Sequence, residues 1–91
     1  MLTVTEAARA RLARKLARKN CAKNQALRFV RNDENARWSM QVDTIQSADV
    51  LYAHQGRTVL IIDEESAHRL RNRLLEVRET DEGPRLRLRR S

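Results

Sequence analysis

Val59-Leu60-Ile61-Ile62 is the most apolar run in the chain, and its flanks leave few ways to fold it. Its β-branched residues and its shortness favour a buried strand over a helix. Asp63 follows at once as a good helix N-cap, and Glu64 and Glu65 put negative charge at the positive end of the helix dipole. Ahead of the run, Val50-Leu51-Tyr52 suits another strand. Gln55-Gly56 between them supplies a tight turn, because glycine accepts positive φ without steric cost. Behind it, a short helix over roughly 64–73 should lead into Leu75-Glu76-Val77-Arg78-Glu79, where apolar and charged residues alternate. The centre of the chain is thus expected to be a hairpin, a helix and a strand.

The remaining segments can be placed around that centre. Thr5 is a natural N-cap for residues 6–19, which hold strong helix formers and neither Gly nor Pro. At about 100° per residue, Ala8, Leu12, Ala13 and Leu16 gather on one side of this helix. Arg11, Arg14, Lys15, Arg18 and Lys19 fall on the other. With only two leucines to anchor it, the helix is expected to pack shallowly. Residues 20–25 form a polar connector carrying Cys21. Ala26 to Arg31 reads as a strand with Leu27 and Phe29 on one face, Asn32-Asp33-Glu34-Asn35 as a turn, and Arg37 to Asp43 as a strand with Trp38, Met40 and Val42 sharing a face. Gly83-Pro84 marks the turn of a last hairpin. There Leu86 and Leu88 oppose Arg85, Arg87 and Arg89, and Glu76 and Glu79 are set to pair with the arginines. The expected fold class is a small α+β domain over 1–91, with mixed, flattened-barrel-like strands, an N-terminal helix and a second short helix.

Composition narrows the function classes. Ninety-one residues, 41% apolar with 3% aromatic, allow one aliphatic core. No apolar run approaches the ~18 residues a membrane span needs, and the start of the sequence has no apolar signal region. A single cysteine excludes an internal disulfide and fits a reducing, cytoplasmic setting. A net charge of +7 raises the prospect of a polyanionic partner.

The order of pieces resembles a known family. Val4-Thr5-Glu6-Ala7-Ala8 comes first, then Ala26-Leu27-Arg28 at a strand start. Asp49-Val50, the Gly56 turn, Val59 to Asp63, a helix bearing Ser66 and Leu70, and Leu75-Glu76-Val77 follow. Together they are similar to the A-type iron–sulfur biogenesis (HesB-like) domain. The resemblance implies a HesB-like fold and a thiolate-ligated cluster. Its ligands would be one Cys in a Gly-rich loop after the first strand and a Cys-x-Cys after the last. Here the first position falls in residues 32–36, which hold neither Gly nor Cys, and the second falls where the sequence reaches Arg90-Ser91. No ligand residue carries over, and the chain reads as a divergent relative with a degenerate ligand site.

Other candidate chemistry is sparse. Cys21 lies outside the implied ligand positions and reads as an incidental free thiol. The less favoured reading is a [2Fe–2S] cluster in a dimer, held by Cys21 and a non-thiol ligand. His54 and His68 read as surface or structural residues, with Glu64 and His68 one helical turn apart. No phosphate loop, nucleophile elbow or zinc-protease helix occurs, so no enzyme is expected. The expected function is that of an adaptor or regulator in iron–sulfur biogenesis, acting on a protein partner without ligating a cluster. The alternative is a nucleic-acid-binding module, with Arg11, Arg14, Lys15, Arg18 and Lys19 joined by Arg85, Arg87, Arg89 and Arg90 in one phosphate-binding stripe.

Overall fold

Both helices begin where a capping side chain was expected. In the computed structural model, which describes residues 1–90, Thr5 Oγ1 accepts from the Ala8 amide at 3.1 Å to open α1 (Glu6–Lys19). Asp63 Oδ1 accepts from the Ser66 amide at 2.7 Å to open α2 (Glu64–Arg69). α1 closes on Asn20, whose left-handed φ of 55° is one that asparagine tolerates. α2 ends at Arg69, short of the expected 73. Asn72 turns left-handed at a φ of 62°, and Arg73 already pairs as a strand residue.

The strands form two mixed sheets. β2 (Gln25–Asn32), β3 (Arg37–Thr44), β4 (Val50–His54) and β5 (Arg57–Ile62) lie in the order β3-β2-β5-β4, with a parallel β2–β5 pair at the centre. Gln55 and Gly56 both take positive φ in the turn between β4 and β5, the geometry that matches strand twist in a two-residue hairpin. β6 (Arg73–Thr80) and β7 (Gly83–Arg90) form the last hairpin. Its turn is Asp81-Glu82, not the expected Gly83-Pro84. Thr80 Oγ1 accepts from the Glu82 amide at 3.2 Å and donates to the Gly83 carbonyl at 2.7 Å, closing the turn one step earlier. Pro84 then falls second in an edge strand, where a missing N–H is tolerated.

A short strand absent from the sequence reading, β1 (Thr3–Val4), adds to β6 in parallel at Leu74 and Leu75. It is held from several sides. The Thr5 amide donates to the Leu75 carbonyl at 3.0 Å, and Tyr52 Oη donates to the Leu2 carbonyl at 2.7 Å. Burial pushes the Tyr52 phenol up, which keeps it a donor. Arg9 lies over the Tyr52 ring, 5.5 Å from its centre, and donates to the Ala53 carbonyl at 2.8 Å.

The core lies between the sheets and α1. Leu27, Phe29, Leu60 and Ile62 meet Val4 and Leu75 from the other sheet. α1 lays Ala8, Leu12 and Leu16 over them, and all three are buried. The shallow seat read from the sequence does not form, because Ala8 lets the helix backbone approach closely and the two leucines are enclosed completely.

On the face of β2 away from this core sits a buried ion network. The Arg28 side chain is 11% exposed and grips Asp49, itself 3% exposed, through Nη1–Oδ1 at 2.9 Å and Nη2–Oδ2 at 2.7 Å. Its Nε donates to Asp43 Oδ2 at 2.7 Å. The Gln46 amide donates to Asp49 Oδ2 at 2.7 Å. Arg28, against the opposing pull of burial, holds the Asp49 carboxyl below the usual carboxylate range. The loop from β3 to β4 is therefore tied down by one guanidinium.

Candidate functional site

The turn between β2 and β3 is where the resemblance implies a ligand cysteine. Its side chains are used to hold the turn. Asn32 Oδ1 accepts from the Glu34 amide at 2.9 Å, Asn35 Oδ1 accepts from the Arg37 amide at 3.0 Å, and Arg31 pairs with Asp33 at 3.2 Å. These are amide and carboxylate oxygens, and none is a soft donor suited to a cluster. Cys21 sits apart in the connector after α1, half-buried against the core. Arg57 fixes that connector by donating to the carbonyls of Ala22 at 3.2 Å and Lys23 at 3.3 Å. Among the described residues, no three His, Cys, Asp or Glu side chains come together to hold a metal ion. The residues present do not fit an iron–sulfur cluster. The second implied ligand position, beyond β7, lies outside the described residues.

Ala36 gives this turn a testable weakness. Its φ of 56° is left-handed, and its amide donates to the Asn32 carbonyl at 2.8 Å. A Cβ in that region costs roughly 1–2 kcal/mol, part of which glycine returns as chain entropy in the unfolded state. Ala36→Gly is therefore expected to stabilise the protein by about 0.5–1 kcal/mol, read as a rise in the urea midpoint. A fall would show that the turn does not hold this conformation.

His54 lies against α1 and His68 on the surface. His54 Nδ1 lies 3.1 Å from Glu6 Oε1 at the start of α1. His68 is exposed near the end of α2, and the pair that forms on that helix is Glu65–Arg69 at 3.1 Å, not Glu64–His68.

The basic residues divide into separate groups. Arg11 and Lys15 of α1 meet Arg85 of β7 around a cleft of about 340 Å³, whose walls also include Glu82, Pro84 and Leu86. Arg85 pairs with Glu82. Arg14 borders a smaller apolar hollow with Ala7, Ala10 and Val77. Arg18 and Lys19 are exposed in the last turn of α1. Arg87, Arg89 and Arg90 follow Arg85 along β7, all exposed, and Arg89 pairs with Glu76. Phe29 and Tyr52 are core residues, and Trp38 stands edge-on to Phe29 with ring centres 5.9 Å apart. Phe29 and Tyr52 therefore present no free platform for stacking bases.

The basic cleft has an apolar continuation that the sequence did not signal. A second hollow of about 330 Å³ runs between β7 and β3, floored by Phe29 and Leu75 and walled by Trp38, Met40, Leu86 and Leu88. Lys15 and Leu86 line both hollows, so the two form one groove along β7. Only the alternation of Trp38-Met40 and of Leu86-Leu88 hints at it in the sequence.

Helix, two mixed sheets and short second helix define a small α+β domain of HesB-like fold. Two solved structures share it over nearly the whole chain. The crystal structure of Escherichia coli SufA, a protein involved in biosynthesis of iron–sulfur clusters, superposes with a TM-score of 0.66 at 14% identity, over 98% of this chain and 84% of SufA. A crystal structure of IscA with the [2Fe–2S] cluster gives a TM-score of 0.59 at 20% identity, over 99% of this chain and 85% of that one. No protein-family model and no curated protein sequence matches the chain. The chain thus has the fold implied by the sequence resemblance. Among the described residues, no helix is long and apolar enough to cross a membrane.

Proposed function

We propose that this protein works in iron–sulfur cluster biogenesis by binding a protein partner, as an adaptor or regulator, without catalysis and without ligating a cluster itself. The observation that carries the reading is a pairing of two facts. The fold is shared with SufA and IscA across almost the whole chain, while the β2–β3 turn offers only Asn, Asp, Glu and Ala side chains. A scaffold of this shape with no soft donor in its β2–β3 turn keeps a partner-binding surface without that turn's means of holding iron and sulfide. A reducing, cytoplasmic setting suits both the lone Cys21 and this role.

Anaerobic reconstitution with iron and sulfide, followed by gel filtration and a visible spectrum, tests the cluster-free part. Wild type and Cys21→Ser are both expected to emerge colourless. A coloured dimer that loses its colour in Cys21→Ser would overturn it. The partner part is tested by mixing the protein with IscA carrying its [2Fe–2S] cluster. Co-elution with the colour retained is the expected result, and separate elution would count against a place beside such carriers.

A further inference from the structure

β7 is an edge strand with a free side. β7 is hydrogen-bonded to β6 on one side only, and it runs for eight residues. Such an edge presents unpaired N–H and C=O groups ready to take another strand. Beside it lies the groove described above, and the two faces of β7 differ sharply. Leu86 and Leu88 turn toward the groove and stay half-buried, while Arg87 and Arg89 stand exposed on the opposite face and Arg85, also exposed, borders the cleft at the groove's end.

That exposed face is electrostatically unbalanced. In the β6–β7 register Arg78 sits directly opposite Arg85, a like-charge pair that destabilises a ladder and that, among the described residues, only the Arg85–Glu82 contact offsets. Glu76 lies opposite Arg87 but is engaged by Arg89, so among the described residues Arg87 has no ion pair. On the groove side, Arg11 and Lys15 add further positive charge at the end nearest Arg85. A second copy of the chain is a poor occupant, because pairing two β7 edges would bring arginine against arginine.

We infer that the β7 edge is a docking site for an extended acidic segment of a partner protein, which adds as a strand with apolar residues facing the groove and carboxylates facing Arg85, Arg87 and Arg89. Main-chain hydrogen bonds supply the affinity of such strand addition, and alternate side chains supply its specificity. Here the alternation is written on β7 itself. Leu86 and Leu88 select apolar residues at every second position of the incoming strand, and the arginines select Glu or Asp at the positions between. This site rests on the binding role proposed above for its biological setting, but its chemistry does not depend on iron–sulfur biogenesis.

The probe is a blocked peptide alternating valine and glutamate, titrated into isotope-labelled full-length protein and followed by amide chemical shifts. The expected result is a set of shifts along β7 and at Lys15 and Trp38, with slowed exchange of the β7 edge amides. Arg87→Glu, an exposed substitution whose fold is checked by its thermal melt, is expected to weaken binding about tenfold. Four results would overturn the inference: no shift, equal binding of a scrambled or lysine-for-glutamate peptide, equal binding by Arg87→Glu, or shifts mapping away from β7. The same shifts from a short oligothymidylate would also overturn it, by showing a plain polyanion site. Concentration-dependent shifts without peptide would do so too, by showing self-pairing. Because the peptide reads the edge alone and the IscA experiment reads the pathway, either proposal can fail without the other.

Discussion

Arg28→Ala is expected to leave the protein close to unfolding at neutral pH. The substitution removes both hydrogen bonds to Asp49 and strands a carboxylate that is 3% exposed. Breaking a buried pair from one side costs about 3–5 kcal/mol, because the remaining charge is left out of water with no opposite charge and only the Gln46 amide to hold it. A domain of this length has on the order of 5–14 kcal/mol in total, so the loss is a large share. Thermal melts followed by circular dichroism measure it directly. A variant within about 1 kcal/mol of wild type would mean that the loop from β3 to β4 moves to let water reach Asp49.

The pH dependence gives the same experiment a sign. In the wild type, Arg28 holds the Asp49 carboxyl below its ordinary value, so the unfolded chain takes up the proton first. The stabilisation from this group is complete above the unfolded pKa, near 4. It is lost as the pH falls through the lower folded value. In Arg28→Ala the guanidinium is gone and burial outweighs the remaining Gln46 amide bond to the carboxyl, which raises it above the unfolded value. The penalty then stands at neutral pH and is relieved as Asp49 protonates, so the variant's melting temperature is expected to rise on acidification while the wild type's holds or falls. Asp49→Asn in the Arg28→Ala background is expected to recover part of the loss at neutral pH and to abolish the rise. Parallel pH profiles for the single variant and wild type would remove Asp49 from the explanation.

What the sequence made legible is what short segments decide for themselves. Thr5 and Asp63 cap helices through an amide three residues on, Gln55-Gly56 makes a turn from its own φ preferences, and Val59 to Ile62 is strand-like on composition alone. The lack of cysteine in the β2–β3 turn is likewise a property of the sequence itself. What it hid depends on distant partners. β1 is two residues long and carries no pattern, and it is a strand only because Leu74 and Leu75 lie beside it. Arg28 looks like the polar half of a strand's alternation, but Asp49, in a loop 21 residues on, makes it the centre of a buried network. Gly83-Pro84 is a strong turn signal that Thr80 overrides with its hydroxyl. The groove along β7 needs α1, β3 and β7 in place at once, and no window of sequence contains all three.

Leu12→Ala is the second large effect, and it decides between two ways of seating α1. The basic outer face and two leucines suggest a helix resting on the sheets, in which case truncation would cost about 1 kcal/mol, near the average for a point substitution. The packed arrangement says otherwise. Leu12 is 0% exposed within the same cluster as Leu16, Leu60 and Leu75, and Ala8 beside it is already too small to close a gap. Truncating an enclosed leucine removes its transfer energy and leaves a cavity, costing about 2–5 kcal/mol. With a urea slope of roughly 1 kcal/mol/M for a domain this small, the midpoint is expected to fall by about 2 M or more. Arg14→Ala, two residues along on the exposed side, is expected to stay within about 0.5 kcal/mol. An unchanged slope would show that only stability moved. The groove depends on this seat, because Arg11 and Lys15 reach the β7 edge only when Leu12 and Leu16 hold α1 against the sheets. A small Leu12→Ala effect would therefore weaken the case for a preformed strand-docking edge together with the case for a deeply seated helix.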